Sequence, residues 1–190
     1  MLDDILLKIA KNSILQKLNL AHALDKSKLT QDYPYLTKKG ASFVTLHYDK
    51  DLRGCIGSLV AHRTLFDDIV SNAISAAFGD PRFSPLKKEE LPHINLEVSV
   101  LTQPKLLKYD DFEDLSKKIR PSIDGLILKH NGYRGTFLPQ VWKQLPNAKT
   151  FLEHLSYKSR ATPSIFKEHP EIYTYQVDAI EEKFDEILPL

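Results

Sequence analysis

The sequence predicts an α+β fold, with antiparallel β-sheet and flanking helices, and three observations predict it. Two β-rich pairs are separated by turn-forming residues, each pair is followed by helical periodicity, and one segment alternates apolar and polar residues with a period of two. Segregated hairpins and helices point to α+β rather than to a parallel βαβ sheet. The chain reads as two halves within residues 1–190, each with a hairpin carrying an Arg-Gly pair, Arg53-Gly54 and Arg134-Gly135. A boundary near 103–110 falls by Gln103-Pro104-Lys105, which reads equally as a loop. With no low-complexity linker, the halves are expected to share a continuous interface.

Residues 2–20 place Leu2, Ile5, Leu6, Ile9, Leu15 and Leu18 near a 3.6-residue period, with Asp3 and Asp4 at the favourable end of a helix. A polar, tyrosine-containing connection follows through Tyr33-Pro34-Tyr35. Residues 42–47 are β-rich and lead through the turn residues 48–51 into residues 52–59, a first hairpin. Leu65, Ile69, Ala73, Ile74 and Ala77 then recur at helical spacing, with Gly79 at the C-terminus, a helix to cover the sheet. Residues 94–100 alternate as a strand with one buried face, leaving Glu97 and Ser99 on the other. A short helix is expected over 111–119, stopped by Pro121. Asn131-Gly132 between residues 125–130 and 133–138 is a strong hairpin signal. A helix over 148–157, a second start at Thr162-Pro163 and a strand over 172–177 complete the pattern. The tail after Val177, with Glu181-Glu182-Lys183, reads as a solvated helix or fray.

With 190 residues the chain can bury a core without disulfides or metal, and its 26 basic and 25 acidic residues leave it near neutrality. Nothing global recruits nucleic acid or an anionic membrane, and no apolar run approaches the roughly 20 residues of a membrane span. One cysteine and a start without a basic-then-apolar leader make a cytoplasmic protein the expectation. The seven histidines are scattered without metal-ligand spacing, so no metal is expected. No cofactor fingerprint is present: there is no phosphate loop, dinucleotide motif or cysteine cluster for iron–sulfur.

Four strings occur in order: residues 52–58 (LRGCIGS), 80–83 (DPRF), 96–101 (LEVSVL) and 135–142 (GTFLPQVW), with Asp124-Gly125-Leu126 before the last. Together they resemble the AMMECR domain family, over about residues 5–177. The resemblance implies an α+β protein of two intimately packed subdomains built on antiparallel sheet. It also implies, by association, action beside a MEMO-like protein and a radical SAM protein in an uncharacterised pathway. The Leu-Arg-Gly-Cys-Ile-Gly string is regarded as the family's functional motif and falls here on residues 52–57. Where many members carry a basic residue before the second Arg-Gly pair, this chain has Tyr133, so an anion site there would lean on Arg134.

Within the first motif, strand alternation would set Arg53 and Cys55 on one face. A guanidinium beside a thiol favours thiolate, which makes Cys55 a candidate nucleophile with His47 as the local base. The alternative is a buried cysteine acting as a small hydrophobe. Gly54 and Gly57 either let a ligand approach the backbone or serve close packing. Of six arginines, Arg53, Arg82 and Arg134 stand in the motifs and can bind an anionic small molecule or an acidic partner segment; alternatively they pair internally, with Glu97, Asp80 and Asp124 as available acids. Glu97 and Ser99 offer an acid–base group and a hydroxyl. Trp142 is expected to anchor the core. Three functions follow: anionic-ligand binding at a cleft lined by the motif, a thiol-dependent enzyme using Cys55, or a structural adaptor.

Overall fold

The structure, a computed structural model, describes residues 2–190. It is α+β, and the chain forms two compact units: one runs to Leu101 and resumes over Asp178–Leu190, the other is Thr102–Val177.

In the first unit α1 spans Ile5–Lys17 and buries Leu6, Ile9, Ala10 and Ile14. The polar connection contains a helix that periodicity did not announce, α2 (Lys26–Asp32), started by Asp25, whose side chain accepts from the Lys28 amide at 3.0 Å. With seven residues and a single buried side chain, Leu29, it carries too little apolar pattern to be read. Strands β1 (Ser42–Tyr48) and β2 (Asp51–Gly57) form the first hairpin. Its two turn residues, Asp49 and Lys50, both have positive φ, 47° and 82°, the conformation that two-residue hairpins demand even without glycine. Helix α3 (Leu65–Phe78) begins at Thr64, whose hydroxyl accepts from the Asp67 amide, and ends at Gly79. It packs on α1 and on the sheet, closing a core of Ile69, Ala73, Val44, Leu46, Leu96 and Val98. Strand β3 (Ile94–Leu101) pairs antiparallel with β1 and alternates as its sequence requires.

The second unit contains β4 (Lys105–Leu107), α4 (Phe112–Lys118), β5 (Gly125–His130), β6 (Tyr133–Phe137), α5 (Ala148–Lys158) and β7 (Glu171–Tyr175). Its sheet order is β4-β7-β5-β6, with each neighbouring pair antiparallel. Asn131 and Gly132 supply the hairpin turn with φ of 45° and 86°. Trp142 stacks on Phe151 at 3.8 Å between ring centroids and donates its indole N–H to the Asp124 carbonyl at 2.7 Å, so it anchors this core.

The tail corrects the sequence reading. Val177–Lys183 is a strand, β8, next to β3, which gives the first sheet the order β2-β1-β3-β8. Its acidic, exposed side chains resemble a solvated helix, but charge is what an unpaired sheet edge carries to discourage further pairing. Beyond it Phe184 donates its amide to the Ile94 carbonyl at 2.8 Å, and Phe184 and Ile187 enter the first core. Among the described residues no helix is long and apolar enough to cross a membrane.

Candidate functional site

Strand β2 carries the first motif along one edge of its sheet. Gly54 is opposite Leu46 and Leu52 is opposite His47, so Arg53 is the extra residue of a bulge. The expected alternation of Arg53 with Cys55 is therefore broken. Arg53 reaches Glu90, its Nε donating to Oε1 at 2.7 Å and an Nη to Oε2 at 3.1 Å, and also donates to the Ser84 carbonyl at 2.9 Å. Glu90 is held below the usual carboxylate range chiefly by that hydrogen bond to Arg53, against an opposing effect of burial. Gly54 is buried under α3: a Cβ there would lie 2.2 Å from the Ala76 carbonyl oxygen. Gly57 accommodates the Phe43 ring of the paired strand, which a Cβ would meet at 2.2 Å.

The second motif covers the open edge of β2. The Cys55 amide donates to Asp80 Oδ2 at 3.0 Å, and Arg82 donates to both Asp80 oxygens, at 3.0 and 2.7 Å. An Arg82 Nη also reaches the Cys55 carbonyl at 3.4 Å. The Arg82 hydrogen bond, aided by those from the Cys55 and Arg82 amides and opposed by burial, holds the Asp80 carboxyl far below its ordinary value. Both guanidiniums stand over the Phe83 ring, Arg53 at 5.8 Å and Arg82 at 5.4 Å from its centroid. Arg53 and Arg82 are thus both engaged within the fold.

The polar face of the first sheet carries the chemistry that is left. Thr45 on β1 is opposite Cys55 on β2 and Glu97 on β3, so the three form one row across the strands. The Thr45 hydroxyl donates to Cys55 Sγ at 3.3 Å. Cys55 is half-buried and free. Burial raises the Glu97 carboxyl above its ordinary value, the nearby Glu181 adds to this, and His47 and the Ser99 hydroxyl oppose it. His47 lies two residues along the same strand from Thr45. Its Nδ1 is 3.6 Å from Glu181 Oε1, too long for a hydrogen bond, and is buried without a partner among the described residues. Row spacing places the Cys55 and Glu97 backbones about 10 Å apart across two strand intervals. The face thus carries a half-buried thiol and a carboxyl of raised proton affinity on either side of the buried Thr45 hydroxyl.

In the second unit Arg134 is exposed on β6 opposite Lys129, and Gly135 allows Ser159 to approach, since a Cβ would be 2.3 Å from its Oγ. Asp124 is bound by Arg120 through Nε and Nη at 3.1 and 2.7 Å and by Gln176 at 2.7 Å. Sequence reasoning missed Glu90, Thr45 and a buried cluster around Asp68. Asp68 accepts from the Ser42 amide and hydroxyl, Asn72, Ser58 and Arg63, tying β1 to α3. An aspartate one residue off the apolar stripe of α3 is the signal that could have found it. Among the described residues no cluster of three or more His, Cys, Asp and Glu side chains is arranged to hold a metal ion.

A family model described as AMMECR1 matches residues 7–180. The chain belongs to the AMMECR1 family. Similar proteins include one from Methanothermobacter thermautotrophicus, 40% identical over 177 residues, covering 92% of this chain and 90% of the relative. Protein MJ0810 of Methanocaldococcus jannaschii is 38% identical over 162 residues, covering 83% of this chain and 81% of the relative. The crystal structure of an uncharacterized protein, PH0010, from Pyrococcus horikoshii has the same fold, with a TM-score of 0.73 and 32% identity, covering 95% of this chain and 91% of that one. The AMMECR1 match contains all four strings, from the motif on β2 to Trp142, and extends into β8 as far as residue 180.

Proposed function

We propose that this AMMECR1 chain binds a small molecule across β2, β1 and β3, using the row Cys55, Thr45 and Glu97 as its recognition surface, with Cys55 as the reactive group and Glu97 as the proton-exchanging group. The observation that carries the reading is the register, which sets a half-buried thiol and a carboxyl with raised proton affinity on either side of one hydroxyl. The ligand class follows from charge. Arg53 and Arg82 are neutralised by Glu90 and Asp80, while Glu97 and Glu181 stand by the face, so a carbonyl- or amine-bearing molecule suits it better than an anion. A MEMO-like protein and a radical SAM protein, implied by the family resemblance, are the proposed partners.

A second reading, a structural adaptor, is favoured by how much of the motif serves packing: Gly54 under Ala76, Arg53 on Glu90 and Arg82 on Asp80. One experiment separates the two. A thermal-shift screen of small carbonyl and amine compounds is run on the wild type, Cys55→Ser and Glu97→Gln. A compound that stabilises the wild type, slows alkylation of Cys55 by iodoacetamide and loses its effect in Glu97→Gln supports the binding face. Compounds that stabilise all three proteins equally, or none at all while both variants still co-purify with a MEMO-like partner, favour the adaptor.

A further inference from the structure

Helix α1 has two working faces. One enters the core through Leu6, Ile9 and Ile14. On another, Ile5, Lys8, Asn12 and Leu15 recur at helical spacing and line a half-open cavity of about 630 Å³ walled also by residues 20–33 and the C-terminal Leu188-Pro189-Leu190. Small-molecule sites commonly measure roughly 300–1,000 Å³, with mostly apolar walls and a few convergent polar groups. Here leucine is the commonest lining residue, with Leu15, Leu24 and Leu29 inside and Leu20, Leu188 and Leu190 still 42%, 66% and 50% exposed, set among charged side chains.

Two polar groups in the lining are under-partnered. Lys11 Nζ, with three N–H donors, gives one to the Ile187 carbonyl at 2.7 Å and stands 5.2 Å from the Phe184 ring centroid. Burial lowers its pKa, against the pull of Asp185. One residue on, Asn12 Oδ1 is buried with no hydrogen-bond partner among the described residues. A carboxylate can only accept, so Asn12 would meet one through its NH₂ and not through that buried oxygen. The acids of the lining do not compete: Asp25 and Asp32 are exposed, and Asp25 caps α2.

We infer that this cavity binds a small amphipathic carboxylic acid, its hydrocarbon chain among Leu15, Leu24 and Leu29 and its carboxylate accepting from Lys11 Nζ and the Asn12 amide. An amine would leave the Lys11 donors unused and add a cation to a lining that already holds Lys8, Lys11 and Lys28. A plain hydrocarbon would leave the remaining Lys11 donors and the Asn12 NH₂ without an acceptor. None of the residues of the Cys55 row lines this cavity, so the inference is independent of the function proposed above.

The full chain is titrated with decanoate and, separately, with 1-decanol by calorimetry, with Lys11→Met and Leu24→Glu as variants. Saturable one-to-one decanoate binding is expected, weakened roughly tenfold or more by Lys11→Met, while decanol binds wild type and Lys11→Met alike. Leu24→Glu, which keeps Lys11 and puts a charge in the chain site, is expected to abolish both. Amide chemical shifts on decanoate addition should concentrate in α1 and residues 20–33. Absence of saturable binding, binding indifferent to both variants, or shifts elsewhere would overturn the inference. If Lys11→Met loses its fold by circular dichroism, Leu24→Glu and the shift map decide.

Discussion

Gly54 shows how a single hydrogen in place of a side chain sets the distance between a helix and a strand. The Ala76 carbonyl belongs to the backbone of α3 and cannot rotate away from a Cβ 2.2 Å off, so the helix itself must move. Gly54→Ala is therefore expected to cost roughly 3 kcal/mol or more, at the upper end of overpacking penalties, measured by urea unfolding. A cost under about 1 kcal/mol would mean that α3 slides freely on β2. Glu97 works in the opposite sense. Its raised proton affinity in the folded state means that the protonated form is favoured by folding, a contribution fully present below the ordinary glutamate range near pH 4 and lost as pH rises through the folded value. Glu97→Gln removes the charge that the fold resists, so its melting temperature should exceed the wild type's at pH 8 and converge with it toward pH 4. A variant equally or less stable at pH 8 would contradict the direction assigned to Glu97. The gain at alkaline pH should also shrink in a Glu181→Gln background, because Glu181 is the second cause of the shift.

At the scale of elements, the open edge of β2 is closed by the segment after α3 rather than by another strand. Asp80 accepts from the Cys55 amide and holds Arg82 against the Cys55 carbonyl, so both backbone groups are occupied. Asp80→Asn is expected to lower stability by roughly 2–4 kcal/mol, the scale for a buried carboxylate losing charged hydrogen bonds, and to speed hydrogen exchange at the Cys55 amide. Because the folded carboxyl is held low, the difference from wild type should be constant from pH 8 to about 4 and shrink only as pH falls further. An unchanged Cys55 exchange rate would remove Asp80 as the edge cover. The sequence made the elements of this unit legible wherever a period repeats: β3 alternates from Ile94 to Val98, and α3 keeps its apolar stripe. Arg53 was misplaced because a bulge changes face without changing composition. Likewise β8 was hidden because its partner is β3, far away in sequence, and its own side chains are mostly exposed. Thr45 entered the candidate site only through register, which no local pattern encodes. The Arg82–Asp80 pair was legible, since both residues stand in one short motif.

At the scale of the molecule, each unit has its own core. The first draws on Leu6, Ile69, Leu96 and Phe184, the second on Leu126, Leu128, Trp142, Phe151 and Leu155, and no residue is shared between the two clusters. The second unit is continuous in sequence, whereas the first is completed by the returning tail. A continuous segment with a separate core, four paired strands and capped helices meets the local requirements for folding alone, although at this size the margin is small. Residues 102–177 expressed by themselves are therefore expected to unfold cooperatively. The chain's single tryptophan, Trp142, lies in this unit and is almost fully buried, so its fluorescence reports on it directly. Blue-shifted emission that reddens in one urea transition, with dispersed amide resonances, is the expected result. Emission already at the solvent-exposed wavelength without urea would show that the stacked Trp142 and Phe151 rings need the rest of the chain to stay together, and that two separate clusters do not here amount to two folding units.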